Sequence, residues 1–200
     1  LIPSGTAKEI FRGNIVCDNR ISAAQQIAWM SQTDLLQPWN TAFENVLLGY
    51  RLRGTVPDSI IQQAKKLFSQ TGLKGSEKKY PWQLSGGMRQ RVALIRTLLE
   101  DKLIVLMDEP FSAVDTLTRF KLQTLSADLL KNRTVVLVTH DPLEALRLAD
   151  EIYILSGKPV QLKKIIQLNT PTPREINNPE LLKYQSVLFD TLLHKNEVML

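Results

Sequence analysis

Cysteine and histidine are the two rarest residues in this chain of 200 residues. The single cysteine, Cys17, excludes an internal disulfide. The two histidines, His140 and His194, lie too far apart in the sequence to suggest a shared metal cluster. No apolar run approaches the roughly 18 to 20 residues that a transmembrane helix needs. The chain is therefore not expected to cross a membrane by itself.

Neither basic nor acidic residues are in large excess. The net charge is only +5, and the hydrophobic and charged fractions, 44% and 22%, are ordinary for a globular protein. The length suits one sizeable domain, or one domain with a small appendage. A solvated basic surface is the default explanation of the charge. Attraction to nucleotide or membrane is the alternative, which charge alone does not establish.

The apolar pattern becomes a regular alternation of helices and strands after residue 85. The all-apolar run at 103–107 is typical of a strand covered by helices on both faces, and 134–139 is a second, mostly apolar strand. This alternation predicts a parallel α/β sheet. The expected strands are 11–16, 26–30, 103–107, 134–139 and 151–155. The expected helices are 41–50, 57–70, 86–99, 116–131 and 142–149, with a last helix from 179.

Capping residues mark several of these helix ends. Thr41 with Glu44 three residues later predicts a capping box. Asn178 before Pro179 predicts the start of the last helix. Gly72 marks the end of the helix at 57–70.

A Ser-Gly-Gly turn opens the helix expected at 86–99, within the segment Leu-Ser-Gly-Gly-Met-Arg-Gln at 84–90. The hydroxyl of Ser85 can donate a hydrogen bond, and Gly86 and Gly87 let backbone approach a phosphate without a clashing Cβ. The turn therefore predicts a phosphate contact. For Arg89 and Arg91, a solvated helix face is the default expectation.

Two acids, Asp108 and Glu109, follow the apolar strand at 103–107. Ligands of open α/β sheets bind at the carboxyl ends of strands. One carboxylate there can hold Mg²⁺ while its neighbour accepts a proton from an attacking water. Two solvated acids would be the simpler interpretation, but the Pro-Phe-Ser-Ala-Val-Asp segment that follows, ending at Asp115, argues against it.

His140 and Gln32 each follow a strand, and each is a weak signal alone. A histidine at a strand end is more often a structural hydrogen-bonding group than a catalytic one. Asp141 is also a candidate N-cap for the helix at Pro142. The segment Ile-Ala-Trp-Met-Ser-Gln at 27–32 ends in Gln32.

Order and spacing make these segments together resemble the ATP-binding-cassette (ABC) ATPases. The resemblance matches 84–90 to the signature motif, 103–109 to Walker B, 110–115 to the D-loop, 139–141 to the H-loop and 27–32 to the Q-loop. Val114 stands where the D-loop more often has Leu. The resemblance covers nearly all of residues 11–156. It implies an α/β, P-loop NTPase-like fold: a parallel sheet flanked by helices, a helical subdomain and a small antiparallel N-terminal part, truncated at the N-terminus.

The resemblance also implies ATP and Mg²⁺ as cofactors and assigns roles to the site residues. Glu109 would act as the catalytic base, and His140 would contact the γ-phosphate and help to fix the attacking water. Asp108 and Gln32 would hold Mg²⁺. The implied nucleotide contacts are Gln32, Ser85, Gly86, Gly87, Gln90 and Asp115. In the family, the signature turn completes the site of a second subunit.

Four parts of the chain follow from the same resemblance. They are a remnant of the N-terminal β part with the Q-loop (1–32), a helical subdomain (33–84), a catalytic core with the signature, Walker B, D-loop and H-loop (85–157) and a C-terminal extension (158–200).

One family motif, the phosphate-binding loop G-x-x-x-x-G-K-[ST], has no match in the sequence. The most similar segment, at 3–9, has Ala7 where the motif has its second glycine and Glu9 where it has Ser or Thr. Only four residues separate Lys8 from Gly13, too few for the helix that the loop requires. We therefore expect residues 1–10 to be the loop after that helix, and the chain to be a truncated form.

The segment after Gln32, with Leu-Leu-Gln-Pro-Trp at 35–39, resembles importer ATPases for nitrate, sulfonate, taurine and hydroxymethylpyrimidine, and leans toward the last, a thiamine precursor. The implied partners are an integral membrane permease, a second ATPase subunit (a homodimer) and, indirectly, a periplasmic or extracellular solute-binding protein, with no nucleic acid. The implied location is peripheral, at the cytoplasmic face of the inner membrane. Trp39 would lie at the permease interface or, alternatively, in the core.

Two other functions stay open at this point. The chain could be a non-catalytic truncated cassette that only binds a partner, or a soluble ABC ATPase that acts on nucleic acid. Proteins of the second kind usually carry paired cassettes or coiled-coil insertions, and the sequence shows neither.

The missing loop leads to a prediction about ATP. The chain of 200 residues should bind ATP weakly and hydrolyse little of it, whereas the full-length parent should be an ABC-type ATPase. Calorimetric titration of the chain with ATP checks this, and a micromolar Kd would contradict it.

Overall fold

A computed structural model describes residues 23–196 and places three parallel strands beside two groups of helices. The expected strand at 11–16 lies outside the described residues. In chain order the elements are α1 (Ala23–Gln26), β1 (Ile27–Met30), α2 (Ala42–Val46), α3 (Leu48–Leu52), α4 (Asp58–Gln70), a 3₁₀ turn (Pro81–Gln83), α5 (Gly86–Leu99), β2 (Ile104–Asp108), α6 (Thr116–Leu129), β3 (Thr134–Val138), α7 (Pro142–Leu148), β4 (Glu151–Ser156), β5 (Gln161–Gln167) and α8 (Pro179–Asn196).

The parallel sheet has the order β1-β2-β3, with β2 in the centre. Met30 lies opposite Met107, and Asp108 lies opposite Val138. Because all three strands run in the same direction, their carboxyl ends meet at one edge of the sheet. This register confirms the parallel α/β fold expected from the alternating pattern.

The two apolar strands differ in burial. In β2, Val105 and Met107 are buried in the main hydrophobic cluster. In β3, by contrast, Val135, Val136 and Val138 are all exposed. The reason is its position: within residues 23–196, β3 is the edge of the sheet and pairs with β2 alone.

The fifth expected strand does not join the parallel sheet. Residues of β4 pair antiparallel with β5, which sequence patterning did not predict, and the two form a separate sheet. Four residues, 157–160, connect them, and a parallel pair needs a crossover of a dozen or more. The small antiparallel part that was expected at the N-terminus falls on residues outside the described range.

Local capping follows the sequence closely. The capping box at the start of α2 is present, with the backbone N–H of Thr41 donating to Glu44 Oε2 at 2.8 Å. These bonds to Thr41 also lower the pKa of Glu44. The Oδ1 atom of Asn178 accepts from the N–H of Glu180 at 2.9 Å, as expected at the start of α8. The single helix expected at 41–50 is divided at Leu47 into α2 and α3.

Two hydrophobic clusters hold the elements together. The larger combines the buried faces of α2, α4, α5 and the sheet, and includes Ala64, Leu67 and Phe68 of α4. The smaller joins Leu146 of α7 to β4, β5 and α8. The smaller cluster therefore contains residues both of the expected catalytic core (85–157) and of the expected C-terminal extension (158–200). Among the described residues, no helix has the length and apolarity needed to span a bilayer.

A buried arginine fastens the end of α7 to the segment before α8. Arg174 is almost completely buried and donates to the carbonyls of Leu146 (3.1 Å) and Ala149 (2.7 Å). Its own backbone N–H donates to the carbonyl of Arg147 at 3.0 Å. These bonds occupy carbonyls that the end of a helix would otherwise leave unpaired.

Asn45 provides a test of how the loop after β1 is held. Its buried amide donates to the carbonyls of Gln37, Asn40 and Thr41, and its Oδ1 accepts from the N–H of Gln37 at 2.7 Å. Asn45→Ala should lower the free energy of unfolding by about 2–3 kcal/mol because it leaves several buried backbone groups unpaired. Asn40→Ala is the control, since the backbone of Asn40 forms the bond. Equal denaturant midpoints for the two variants would contradict this account.

Candidate functional site

The predicted site residues lie where the three parallel strands end. Gln32 follows β1 by two residues, Asp108 is the last residue of β2, and His140 follows β3 by two. The parallel register therefore brings Gln32, Asp108, Glu109 and His140 to the same edge of the sheet. Gln32 and His140 are exposed, and Asp108 and Glu109 are partly buried.

Glu109 and His140 are in direct contact. One carboxylate oxygen, Oε1 of Glu109, accepts from the backbone N–H of His140 at 2.9 Å and lies 2.7 Å from His140 Nδ1. The glutamate side chain is only 13% exposed, whereas the imidazole is 78% exposed. The bond to the Glu109 carboxylate, followed by its charge, raises the pKa of His140. Since Nδ1 is engaged, Nε2 is the ring nitrogen available to a ligand.

The backbone of Glu109 makes this contact possible. Its φ of 49° is left-handed, a conformation that non-glycine residues rarely adopt and that surrounding contacts must hold. Its N–H donates to the carbonyl of Val138 at 2.9 Å, which extends the β2–β3 pairing by one residue. Its carbonyl accepts from Gln90 Nε2 at 2.8 Å and from the Ser112 hydroxyl at 3.1 Å.

Gln90 has a structural role that the sequence did not indicate. It is 6% exposed, and its Oε1 accepts from the N–H of Ala113 at 2.7 Å while its Nε2 donates to Glu109. Both ends of the amide are thus occupied by the segment between Glu109 and Ala113. Gln90 therefore joins α5 to the loop that carries Glu109, and its expected contact with nucleotide stays a prediction.

The Ser-Gly-Gly turn begins α5, as predicted. Ser85 is the N-cap, and its hydroxyl accepts from the N–H of Met88 at 3.3 Å. Ser85 and Gly86 are exposed. Backbone N–H groups at the start of a helix lack partners within the helix, so this turn has the donors that an anion requires.

Gly87 is required by close packing. A Cβ atom at Gly87 would lie 2.7 Å from the carbonyl oxygen of Ala113, a backbone atom. At Gly86 the nearest atom would be the flexible end of Arg89, at 4.0 Å. The two glycines of the turn therefore serve different purposes.

Asp115 and Asp141 both cap helices. Asp115 accepts from the N–H of Thr118 at 3.0 Å at the start of α6, and its hydrogen bonding to Thr118 lowers its pKa. Asp141 accepts from the N–H groups of Leu143 (3.0 Å) and Glu144 (3.4 Å) at the start of α7. It also pairs with Arg119 at 3.2 Å. The capping role that the sequence allowed for Asp141 is present.

Arg89 and Arg96 of α5 hold the loop after Gln32, which corrects the expectation of a solvated face for Arg89. Arg89 pairs with Asp34 at 2.9 Å. Arg96 donates to the carbonyls of Asp34 (2.8 Å) and Leu35 (3.0 Å), and burial lowers its pKa. These contacts join residues more than fifty positions apart, and sequence reasoning missed them.

An apolar groove lies beside this loop. Its volume is about 310 Å³, and Trp29, Leu35 and Leu52 contribute exposed side chains to its lining. Trp39, nearby in the same loop, is 70% exposed, so it is not a core residue.

The residues at the strand ends suit Mg²⁺ only as a partial ligand set. Among the described residues, no group of three or more His, Cys, Asp or Glu side chains could hold a metal ion. Asp108 and Gln32 offer oxygen ligands, and Mg²⁺ commonly takes one or two protein oxygens together with substrate phosphates and water. The donor set therefore fits Mg²⁺ that arrives with a nucleotide.

Comparison with known proteins agrees with this geometry. The ABC transporter family matches residues 4–112. An uncharacterized ABC transporter ATP-binding protein of Methanocaldococcus jannaschii is 43% identical over 82% of this chain and 61% of its own length. The formylaminopyrimidine import ATP-binding protein ThiZ of Halalkalibacterium halodurans is 36% identical over 87% of this chain and 69% of its own. The aliphatic sulfonates import ATP-binding protein SsuB of Bacillus licheniformis is 39% identical over 77% and 60%.

Among solved structures, the chain is similar to a dimeric, post-hydrolysis ATP-binding cassette bound to ADP and Pi. The TM-score is 0.58 with 32% identity, and the match covers 68% of this chain and 63% of that one. This chain spans between 57% and 71% of the length of the first three relatives that it matches.

The contrast between the two glycines gives a prediction. Gly87→Ala should lower the free energy of unfolding by about 1–3 kcal/mol, because the new Cβ pushes α5 away from the backbone of Ala113. Gly86→Ala should be neutral or slightly stabilising, since the site is open and alanine favours the helix. Chemical denaturation measures both, and a Gly87→Ala variant as stable as Gly86→Ala would disprove the close packing.

Proposed function

The chain belongs to the ABC transporter ATP-binding family, and on that premise we propose that it supplies the ATP-hydrolysing site of an importer for a small solute. The observation that carries the proposal is the contact between Glu109 and His140 at the ends of β2 and β3. It places a candidate base and a candidate phosphate ligand side by side.

Glu109 is proposed to accept the proton of the attacking water. His140 occupies Oε1, so Oε2 is the oxygen that would take the proton as water adds to the terminal phosphorus. The partly buried position of the carboxylate limits competing water, and the hydrogen bonds of Val138 and Gln90 to its backbone fix it in place.

His140 is proposed to bind the terminal phosphate through Nε2. Its raised pKa favours the imidazolium, which can donate to a phosphate oxygen while Nδ1 holds Glu109. Asp108 and Gln32 would hold Mg²⁺, which supplies neutralisation of phosphate charge when bound. Asp115, in the segment that resembles the D-loop, is proposed to contact the nucleotide.

The start of α5 is proposed to serve a second copy of the chain. Ser85, Gly86 and Gly87 lie at an exposed helix start whose N–H groups suit a phosphate. The dimeric form of a similar cassette bound to ADP and Pi supports this arrangement. Two copies would then enclose two nucleotides, each contacted by the other copy's turn.

The apolar groove beside the loop is proposed to receive a membrane permease. Trp29 and Leu35 expose aromatic and aliphatic surface there, and Trp39 is exposed in the same loop. Arginines of α5 tie the loop to the proposed ATP site. Movement of the permease could thus be linked to the nucleotide. This partner would place the chain at the cytoplasmic face of the membrane, with a solute-binding protein on the other side.

For the solute we propose a small polar organic molecule, with a thiamine-precursor pyrimidine as the first candidate. The supporting observations are the sequence at 27–39 and the similarity to two relatives, a formylaminopyrimidine import ATP-binding protein and an aliphatic sulfonates import ATP-binding protein. Transport assays of the importer assembled from this subunit and its permease, with both solute classes, would decide between them.

Substitution of the base tests the proposed reaction. In a form of the cassette that also carries a phosphate-binding loop, Glu109→Gln should reduce ATP turnover by about 10²–10⁴-fold and leave ATP binding intact. The amide keeps the size of the side chain and cannot take a proton from water. Glu175→Gln, at an exposed position, is the control. Unchanged turnover in the Glu109 variant would remove Glu109 from the role of base.

A further inference from the structure

A buried polar seam lies between α6 and α7, directly behind the His140 loop. From α6 it contains Arg119, Gln123 and Ser126, which share one face of the helix because they are spaced by four and three residues. From α7 it contains Glu144 and Arg147, both buried. The mechanism proposed above uses none of these side chains.

Glu144 is the unusual member of the seam because it is a buried acid with no ion pair among the described residues. It is 4% exposed, and its Oε2 accepts from Gln123 Nε2 at 3.2 Å. Its Oε1 is buried without a hydrogen bond. The carboxyl group therefore lacks the partners that an ionised form needs.

The nearby cations are used elsewhere. Arg147 donates to Gln123 Oε1 at 2.9 Å, to Thr124 Oγ1 at 2.9 Å and to the carbonyl of Arg174 at 3.1 Å. Arg119 pairs with Asp141. The amide of Gln123 thus stands between Glu144 and the guanidinium of Arg147.

Burial raises the pKa of Glu144 to about 7. The nearby polar groups of Thr139 and Gln123 oppose the rise, and the negative charges of Asp141 and Glu109 add to it. Both protonation states are consequently populated near neutral pH, which is unusual for a glutamate.

Glu144 is linked to His140 by a short path. The hydroxyl of Thr139, the residue before His140, interacts with the carboxyl of Glu144 and accepts from the N–H of Asp141 at 3.0 Å. Asp141, the residue after His140, accepts from the N–H of Glu144. The charge of Glu144 also raises the pKa of His140. Thr139 therefore acts on the carboxyl of Glu144, whereas Asp141 is bonded to the backbone of Glu144.

We propose that Glu144 is a proton-binding positioning residue for His140, so that gain or loss of one buried proton sets the charge and placement of the imidazole. The coupling concerns residues of this chain alone, and its meaning for catalysis rests on the function proposed above. ATP hydrolysis would then respond to pH through a residue that touches neither nucleotide nor metal.

A proton NMR titration of the histidine C2–H signals tests the coupling directly. The chain has two histidines, so a His140→Gln variant assigns the pair. In the unmodified chain the His140 curve should be broadened by the second titration. In Glu144→Gln it should follow a single site whose midpoint is lower by about half a pH unit, because a neighbouring negative charge is gone.

Asp128→Asn is the matched control, since it removes a negative charge from the exposed side of α6. It should leave the His140 curve unchanged. A folded Glu144→Gln chain whose His140 curve superimposes on that of the unmodified chain would overturn the proposal, as would an equal shift in both variants.

Protonation of Glu144 can also be followed through the pH dependence of the chain's stability. The folded pKa lies above the ordinary value of 4.5, so the folded chain binds a proton that the unfolded chain has released, and stability falls as pH rises from 4.5 through 7. Glu144→Gln keeps a neutral side chain at every pH. As pH rises from 5 to 8, the melting temperature of Glu144→Gln should therefore rise relative to that of the unmodified chain. A difference between the two melting temperatures that stays constant with pH would overturn the proposal.

Carboxyl ¹³C NMR of the unmodified chain requires no substitution and keeps the proposal testable if Glu144→Gln fails to fold. A Glu144 midpoint near 7 supports the proposal, and one below 5 overturns it. These measurements use no ATP. If Glu144 and His140 are coupled but a cassette that carries a phosphate-binding loop does not hydrolyse ATP, the proposed function alone is wrong. If ATP is hydrolysed and the two residues are not coupled, this inference alone is wrong.

Discussion

The hydrogen bonds between Glu109 and His140 are the interaction on which the rest of the site depends. They exist because β2 and β3 run parallel in register and because Glu109 adopts a left-handed backbone conformation just past the end of β2. One carboxylate oxygen then reaches both the backbone and the ring of His140. A small change in strand register would separate the two groups, so the sheet determines the chemistry available at its edge.

Helix α5 connects this edge to its surroundings. Its first turn offers backbone donors, Gln90 holds the loop after Glu109, and Arg89 and Arg96 hold the loop after Gln32. A displacement of α5 would therefore move both of these loops together with the first turn of the helix. That arrangement is what a site needs if nucleotide binding is to be communicated to a membrane partner, as we propose.

Local sequence signals predicted much of the fold. The bounds of α5 and the capping roles of Thr41, Asn178 and Asp141 were correct because they depend on neighbouring residues. Contacts over long sequence distances were not predictable: the roles of Gln90 and Arg96 depend on partners that only the folded chain brings near. The exposure of β3 and its place at the edge were missed because apolar composition does not reveal strand order.

The pKa of His140 tests the central contact most directly. In the unmodified chain, NMR titration should give a value above the ordinary 6.5, because the carboxylate of Glu109 accepts from Nδ1 and stabilises the imidazolium. Glu109→Gln should return the value toward 6.5, with the fold retained. A value at or below 6.5 in the unmodified chain, or one unaffected by Glu109→Gln, would contradict the account.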